Sequence, residues 1–136
     1  MAASLIVDAS FLVTLLSRRE IDHRWADKQA REYPPPWNTC EAAISETFHL
    51  LQVGGANVFA SLLGRGAILS SFRFAEASEA VLGLMQKYSD VPMSFADGCI
   101  VRMTEILSQP IVLTTDRDFR IYRRNGRQVV PCVMPH

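Results

Sequence analysis

The sequence predicts a three-layer α/β/α sandwich built on a mainly parallel sheet of about five strands. Three observations support this class. Short apolar runs alternate with segments of helical periodicity, two of these runs are apolar throughout, and both are followed closely by an aspartate. At 136 residues, with 49% hydrophobic and 21% charged residues, the chain has the length and composition of one globular domain. We therefore expect a single domain over residues 1–136.

Five short segments are predicted as strands. Residues 5–7 and 110–114 are the continuous apolar runs, the pattern of strands buried on both faces. Residues 129–133 contain a proline, which favours an edge strand because proline cannot donate to the ladder. Residues 37–40 follow three consecutive prolines, and residues 67–69 follow a segment with two glycines. Crossovers between parallel strands are expected to be right-handed.

Helices are predicted between these strands wherever apolar residues recur three or four positions apart. Asp22 and Asn57 are expected to cap two of them, and Ser94 to begin another. Gly54 and Gly55 are expected to end the helix that precedes them. The predicted helices cover residues 11–19, 23–32, 41–53, 58–63, 78–87 and 95–107.

The composition argues against several classes of protein. The formal net charge is +0, so the chain lacks the basic excess typical of nucleic-acid-binding domains, and such binding would depend on a local patch. Cys40, Cys99 and Cys132 lie far apart and indicate neither a disulfide framework nor a zinc site. No apolar stretch is long enough to cross a bilayer and no signal peptide is evident, so we expect a cytoplasmic protein without a membrane partner.

Two aspartates follow the buried strands. Asp8 ends the first apolar run, and Asp116 comes just after the run that ends at Thr114. The carboxyl ends of parallel strands meet at one edge of a sheet, where ligands bind, so both acids should emerge on the same rim. Alternatively, Asp8 or Ser10 only caps the helix that follows. If Asp8 belongs to a site, Ser10 is the better candidate for that cap.

Two further acids lie on predicted helices. Asp97 falls in the first turn after Ser94, which should face the same rim, although the spacing also fits a capping box in which Asp97 bonds back to the Ser94 N–H. Glu46 is a better functional candidate than Glu41, because Glu41 has capping-box spacing from Asn38. Glu46 could instead be a solvated residue on the open side of its helix.

These acids stand in four segments whose order and spacing resemble the successive acidic motifs of the PIN-domain ribonucleases. Within that family the chain is most similar to the small single-domain toxins of the VapC type, and the resemblance covers essentially the whole chain. The last segment is the most specific, since it joins a strand end to two acids and an aromatic residue. The four segments are Asp8-Ala9-Ser10, Thr39-Cys40-Glu41 through Ser45-Glu46-Thr47, Ser94-Phe95-Ala96-Asp97, and Leu113-Thr114-Thr115-Asp116-Arg117-Asp118-Phe119.

The resemblance implies a cluster of catalytic carboxylates that bind a metal ion. Mg²⁺ prefers hard oxygen ligands and keeps several waters, so a few carboxylates from different elements suffice, and Mn²⁺ could substitute. Such a cluster repels itself when empty, which favours a divalent cation. The implied ligands are Asp8, Glu46, Asp97 and Asp116, with Asp118 as an auxiliary acid and Ser10 and Thr114 as polar supports.

The implied function is that of an Mg²⁺-dependent endoribonuclease, which hydrolyses RNA phosphodiester bonds as the toxin of a type II toxin–antitoxin pair. Its partners would be an RNA substrate and a cognate antitoxin protein. A homodimer is also implied, and the apolar helices at residues 43–51 and 58–63 could supply its interface. The alternative is a PIN-like domain that binds RNA or a protein partner without catalysis, in which the acids are capping or structural residues.

Several arginines follow the last acidic segment and are the candidate contacts to RNA, because a guanidinium matches the geometry of a phosphate group. They could instead form a solvated basic face, or two of them could pair with Asp116 or Asp118. The candidates are Arg117, Arg120, Arg123 and Arg124, with Arg127 close by in sequence.

Other α/β sites lack the residues they need. A phosphatase of the haloacid-dehalogenase type would require a second aspartate where Ser10 stands. No glycine-rich phosphate-binding motif occurs, which disfavours a nucleotide-binding module. No histidine is placed by any pattern beside a nucleophile, so a nucleophile–histidine hydrolase is also disfavoured.

Overall fold

A computed structural model of the protein describes residues 2–136. In chain order its elements are β1 (Ser4–Val7), α1 (Ala9–Leu16), α2 (His23–Glu32), β2 (Trp37–Thr39), α3 (Glu41–Leu50), α4 (Val53–Gly64), β3 (Ile68–Ser70), α5 (Phe74–Lys87), α6 (Phe95–Ile106), β4 (Pro110–Leu113), β5 (Arg123–Arg124), β6 (Gln128–Val129) and β7 (Cys132–Val133). A short 3₁₀ helix, Arg117–Arg120, lies between β4 and β5.

Five strands form one sheet in the order β3-β2-β1-β4-β7, and every neighbouring pair is parallel. The first strand of the chain is therefore the central strand. In the pairing of β1 with β4, Ser4 lies opposite Pro110 and Val7 opposite Leu113. This register brings the carboxyl ends of β1 and β4 side by side, as the parallel-sheet prediction required.

The two faces of the sheet bury different sets of helices. Ile6 and Val112 pack with buried residues of α5 and α6, whereas Val7 and Leu113 pack with buried residues of α1, α2 and α4. Successive residues of a strand point to opposite faces, so the continuous apolar runs of β1 and β4 serve both layers. The predicted three-layer α/β/α architecture is confirmed.

The boundary between α3 and α4 differs from the prediction. Gly54 and Gly55 lie in the first turn of α4, and α3 already ends at Leu50. A Cβ on Gly55 would lie 3.2 Å from the Leu16 carbonyl oxygen, so glycine allows the start of α4 to approach the end of α1 closely. Gly55 therefore serves this close approach, and neither glycine ends the preceding helix.

Helix α5 begins at Phe74, four residues before the predicted start. The ring of Phe74 packs edge-to-face against Phe95, with centroids 4.9 Å apart. This contact joins the first residues of α5 and α6. Because it links segments distant in the chain, local periodicity did not reveal it.

The C-terminal segment contains two short strands where one was predicted. Val129 belongs to β6, which pairs antiparallel with β5 in a separate hairpin, while β7 begins after Pro131 and lies at the edge of the main sheet. Asn125 and Gly126 both have positive φ and form the hairpin turn. The edge position is confirmed, whereas the single strand over 129–133 is wrong, because the hairpin takes up Val129.

Four predicted caps can be compared with the structure. Asn57, expected to cap a helix over 58–63, lies inside α4, which begins at Val53. Ser94 caps α6 as expected, since its Oγ accepts from the Asp97 N–H at 3.0 Å. Asp22 makes no capping hydrogen bond with its side chain. Asn38 does not cap α3, because its side chain donates to the Leu5 carbonyl and Cys40 occupies the cap position.

Within residues 2–136, no helix is long and apolar enough to cross a bilayer.

Candidate active site

Asp8 lies at the carboxyl end of β1, is 5% exposed, and forms the N-cap of α1. Its Oδ1 accepts hydrogen bonds from the Phe11 N–H at 3.0 Å and from Ser10 Oγ at 2.7 Å. The expectation that Ser10 would be the cap is therefore wrong. The aspartate side chain reaches the free N–H groups of the first turn, and Ser10 supports that carboxylate from the side.

Thr114 and Ser10 connect the ends of β1 and β4. Thr114 is fully buried, and its Oγ1 donates to Asp8 Oδ2 at 2.6 Å. The two hydroxyl oxygens are 3.1 Å apart. The backbone beyond β4 bonds to the same groups, since the Thr115 N–H donates to Ser10 Oγ and the Asp116 N–H to Thr114 Oγ1, each at 3.0 Å. This network positions Asp116 relative to Asp8.

Asp116 begins the 3₁₀ helix that follows β4. Its Oδ1 accepts from the Asp118 N–H at 2.9 Å, so the carboxylate is held against its own turn. Burial raises the pKa of Asp116 above its ordinary value, and the neighbouring charge of Asp118 adds to this effect. Asp118 is partly buried beside it. Both acids of the last segment therefore lie at the carboxyl edge of β4.

Asp97 enters the site from the first turn of α6. Tyr122 donates from its hydroxyl to Asp97 Oδ2 at 2.9 Å. Within residues 2–136, no other helix or strand donates a hydrogen bond to the Asp97 carboxylate. The Asp97 side chain also makes no bond back to the Ser94 N–H, so the capping box does not form. Burial is the main cause that raises the pKa of Asp97 to about 7, and the charges of Asp116 and Asp8 raise it further.

Sequence reasoning did not identify Tyr122. The side chain is fully buried, with its ring 5.2 Å from Tyr88 and 5.3 Å from Phe119. Burial raises the pKa of its hydroxyl, and the charge of Asp97 adds to the shift, so the group remains a donor. A buried tyrosine hydroxyl needs a polar partner, but the sequence has no local signal that the partner would be Asp97.

The three aspartates Asp8, Asp97 and Asp116 form an electrostatically coupled group. Burial is the main cause that raises the pKa of Asp8 to about 6, and the Asp116 charge raises it further. Within residues 2–136, the ion pairs involve other acids, namely Glu32, Asp27, Glu105 and Asp22. Among the described residues, the group therefore has no arginine, lysine or histidine within ion-pairing distance to balance its negative charge, and a bound cation would relieve this repulsion.

The donor chemistry of this group fits a hard divalent cation. All the ligating atoms are carboxylate oxygens, the type that Mg²⁺ and Mn²⁺ prefer. In residues 2–136, Asp116 Oδ2 accepts no hydrogen bond from the protein, whereas both oxygens of Asp8 are occupied. No three acids, histidines or cysteines in that range are already close enough to hold one ion together. The residues thus match the ion in chemistry, with water completing its coordination.

Glu46 is exposed on α3. The charges that raise the pKa of the three aspartates do not include Glu46. Its assignment as a ligand therefore stays a prediction, as does the alternative that it is solvated. Asp118 is closer to the group, because its charge raises the pKa of both Asp116 and Tyr122.

The candidate arginines divide into two kinds. Arg123 donates to three carbonyls of its own turn, and Arg124 donates to the Thr104 carbonyl at 2.6 Å and to Gln128. Arg117 and Arg120 are exposed, and across residues 2–136 their side chains form no ion pair with Asp116 or Asp118. These two guanidinium groups are the ones available to an external phosphate.

Comparison with known proteins agrees with this geometry. A search of curated proteins finds no match. The crystal structure of VapC20 from Mycobacterium tuberculosis, described as a toxin that cleaves the sarcin–ricin loop, has a TM-score of 0.75 and 21% sequence identity to this protein, covering 85% of this chain and 92% of that one. The PIN domain model matches residues 5–125, which include all the candidate acids. The chain belongs to the PIN domain family.

Proposed function

We propose that this protein is a metal-dependent endoribonuclease that hydrolyses RNA phosphodiester bonds. The observation that supports the proposal best is the coupled group of Asp8, Asp97 and Asp116. These three carboxylates come from the end of β1, the first turn of α6 and the turn after β4. Burial raises the pKa of all three, the charge of Asp116 raises the pKa of Asp8 and Asp97 further, and the charge of Asp8 adds to the effect on Asp97. Acidic residues seldom cluster in this way for stability alone. Acids with perturbed pKa values at the carboxyl edge of a parallel sheet are typical of functional sites.

The proposed cofactor is Mg²⁺, for which Mn²⁺ could substitute, held by Asp8, Asp97, Asp116 and Glu46. When bound, such an ion would activate water and neutralise negative charge on the scissile phosphate. The protein's own groups hold the ligands in place. Ser10 and Thr114 orient Asp8, Tyr122 orients Asp97, and Asp118 fixes the turn that carries Asp116.

The proposed RNA contacts are Arg117, Arg120, Arg123 and Arg124. Arg117 and Arg120 are the stronger candidates, because their side chains are exposed and both belong to the 3₁₀ helix that Asp116 begins. The charges of Arg120 and Asp8 both act on the Cys132 thiol, since Arg120 lowers its pKa while burial and Asp8 raise it to about 12. Arg123 and Arg124 would need to exchange carbonyl contacts for phosphate contacts.

The biological role we propose is the toxin of a type II toxin–antitoxin pair. The supporting observation is the likeness to VapC20 over 92% of that chain, which is titled a toxin that cleaves the sarcin–ricin loop. On this proposal the chain is one domain over residues 1–136, acts on RNA in the cytoplasm, is inhibited by a cognate antitoxin protein, and forms a homodimer. Exposed apolar residues on and between α3 and α4 favour the dimer.

A second candidate function is RNA or protein binding without catalysis. One observation favours it: both carboxylate oxygens of Asp8 already accept hydrogen bonds from Phe11, Ser10 and Thr114. In that case Asp8 would cap α1 and join β1 to β4, and the three aspartates would bind no metal ion.

Cleavage of a fluorescent single-stranded RNA separates the two candidates. The parent protein should cleave it with Mg²⁺ or Mn²⁺ and stop on addition of EDTA. Asp97→Asn keeps the side-chain shape and should lower cleavage to background, whereas Asp90→Asn, an exposed residue between α5 and α6, should cleave as the parent does. Equal cleavage by the parent and the Asp97 variant would refute the assignment of Asp97 to the active site. Absence of cleavage by the parent with either ion would refute the nuclease function and leave the binding function.

A further inference from the structure

A groove opens where the first turns of three helices meet, and its lining residues form none of the hydrogen bonds described for the candidate site. Its volume is about 450 Å³, within the range of about 300–1,000 Å³ that is common for small-ligand sites. Cys40 and Glu41 line it from the start of α3, Arg73 and Phe74 from the start of α5, and Phe95 from the start of α6. We call it the three-helix groove.

Two aromatic rings form the apolar wall of the three-helix groove. Phe95 is 41% exposed, and its ring meets that of Phe74 at 4.9 Å with an interplanar angle of 81°. Because Phe95 lines the groove and is partly exposed, part of its ring is open to a ligand there. An exposed aromatic ring at a groove is the feature on which a flat base stacks in proteins that bind single-stranded RNA.

The charges around the groove favour a nucleotide over a purely apolar segment of a protein. Each helix N-terminus has a partial positive charge of about +0.5, and three such ends border the groove. Arg73 is exposed, and in the described residues 2–136 its guanidinium takes part in no ion pair. A phosphate group beside the groove would therefore meet both helix N–H groups and a free guanidinium.

Glu41 contributes an acceptor to the same groove. It is exposed, and across residues 2–136 its carboxylate forms no ion pair. An ionised carboxylate only accepts hydrogen bonds, so it pairs with N–H groups on the edge of a base. The groove thus combines a stacking surface, an acceptor for a base edge and a positive environment for a phosphate.

The position of the groove suits a nucleotide next to the cleaved bond. Phe95 lines the groove, while Asp97, two residues later in the same turn of α6, belongs to the aspartate group. The backbone positions of Phe95 and Asp97 are therefore within one helical pitch, roughly 5.4 Å, of each other along α6. A single RNA strand that crosses the aspartates can reach the groove within a few nucleotides.

We propose that the three-helix groove binds one unpaired nucleotide of the RNA substrate, with its base stacked on Phe95 and a phosphate near Arg73. This inference rests on the proposed nuclease function for the identity of the ligand as RNA. It adds a subsite that selects where the strand is unpaired and, through Glu41, which bases are accepted. Phe95 and Arg73 are binding residues here and take no part in the bond-breaking step.

The test measures binding of a labelled single-stranded oligoribonucleotide by fluorescence anisotropy in EDTA, so that cleavage does not interfere. Phe95→Leu keeps an apolar side chain but removes the stacking face, and it should weaken binding at least about 5-fold. Phe95→Tyr should bind nearly as the parent does. Leu82→Ala, at an exposed apolar residue of α5 outside the groove, is the control and should leave the affinity unchanged.

Two further measurements locate the base and the phosphate. Moving a single abasic position along the oligonucleotide should reveal one position where the parent loses affinity and Phe95→Leu loses none. Arg73→Gln should lower the slope of log affinity against log salt by about 0.7, the value for one phosphate contact on a single strand, and Arg65→Gln should not. A Glu41→Gln variant should alter the order of affinity among oligonucleotides of different base.

The outcomes separate this inference from the proposed function. If the parent binds RNA and Phe95→Leu binds equally well at every abasic position, the subsite is wrong, and an apolar segment of a protein partner becomes the occupant of the groove. Cleavage of RNA by the parent would stand regardless. If the parent binds through Phe95 but never cleaves with Mg²⁺, the subsite holds and the nuclease function fails. If the parent binds no RNA in EDTA, the subsite is overturned, and cleavage with Mg²⁺ decides the nuclease function separately.

Discussion

Thr114 Oγ1 donates a hydrogen bond to Asp8 Oδ2 over 2.6 Å, although the two residues are 106 positions apart in the chain. The bond joins the carboxyl ends of β1 and β4. The same Thr114 oxygen accepts from the Asp116 N–H at 3.0 Å. One buried hydroxyl therefore positions two of the proposed metal ligands.

Thr114→Val should destabilise the protein by about 1–3 kcal/mol, because it removes a buried donor without changing the shape of the side chain and leaves polar groups unpaired. Urea unfolding at pH 7 is the measurement. Thr115→Val is the control, since the hydrogen bond described for Thr115 comes from its backbone N–H. Equal unfolding midpoints for the two variants would contradict the role assigned to Thr114.

The raised pKa of Asp97, about 7, predicts how the stability of the metal-free protein depends on pH. A carboxyl whose pKa is higher in the folded state than in the unfolded chain binds its proton better when folded, so its contribution to stability falls as pH rises from about 4 to about 7. Above that range the folded state bears an unfavourable buried charge. Asp8, with a pKa of about 6, acts in the same direction.

Asp97→Asn should therefore raise the melting temperature in EDTA at pH 8 by about 3 °C or more, and have less effect at pH 4. Thermal unfolding of both proteins at the two pH values measures this difference. Asp90→Asn, at an exposed position, should give the parent's curve at each pH. A melting temperature of the Asp97 variant at or below that of the parent at pH 8 would refute the unfavourable charge.

The two kinds of arginine predict different phenotypes. Replacing Arg117 and Arg120 together by Gln should weaken RNA binding and lower its salt dependence while leaving the melting temperature unchanged, because both side chains are exposed. Arg124→Gln should lower stability, since the guanidinium joins β5 to the Thr104 carbonyl of α6 at 2.6 Å. Anisotropy and thermal unfolding on the same samples distinguish the effects. If the Arg117 and Arg120 variant lost stability and the Arg124 variant lost RNA binding, the binding and structural roles would have to be exchanged.

The proposed homodimer makes a prediction about α4 and the segment before it. Leu50, Val53 and Val58 are 54%, 78% and 51% exposed, an unusual set of large apolar residues for a surface. Val53→Asp with Val58→Asp should convert a dimer into a monomer in light scattering after size-exclusion chromatography. Val129→Asp, at a residue that is 65% exposed in the hairpin, is the control and should leave the dimer intact. A monomeric parent protein would contradict the dimer.

Much of the architecture could be predicted because its signals are local. The continuous apolar runs of β1 and β4 identified strands buried on both faces, and the aspartates after them identified the edge of the sheet where the acids lie. The start of α5 at Phe74 and the presence of Gly55 within α4 could not be predicted, because each depends on a contact with another element, Phe95 in one case and Leu16 in the other.

For this protein the sequence by itself determined the class of fold, the approximate elements and the positions of the candidate acids, because periodicity, apolar runs and motif spacing are properties of neighbouring residues. The tertiary structure decided which groups support those acids. Tyr122 reaches Asp97, Thr114 reaches Asp8, and Arg124 is turned away from solvent toward Thr104. These partners are distant in the chain, and only the packing of the sheet against α6 and the hairpin brings them within hydrogen-bonding distance.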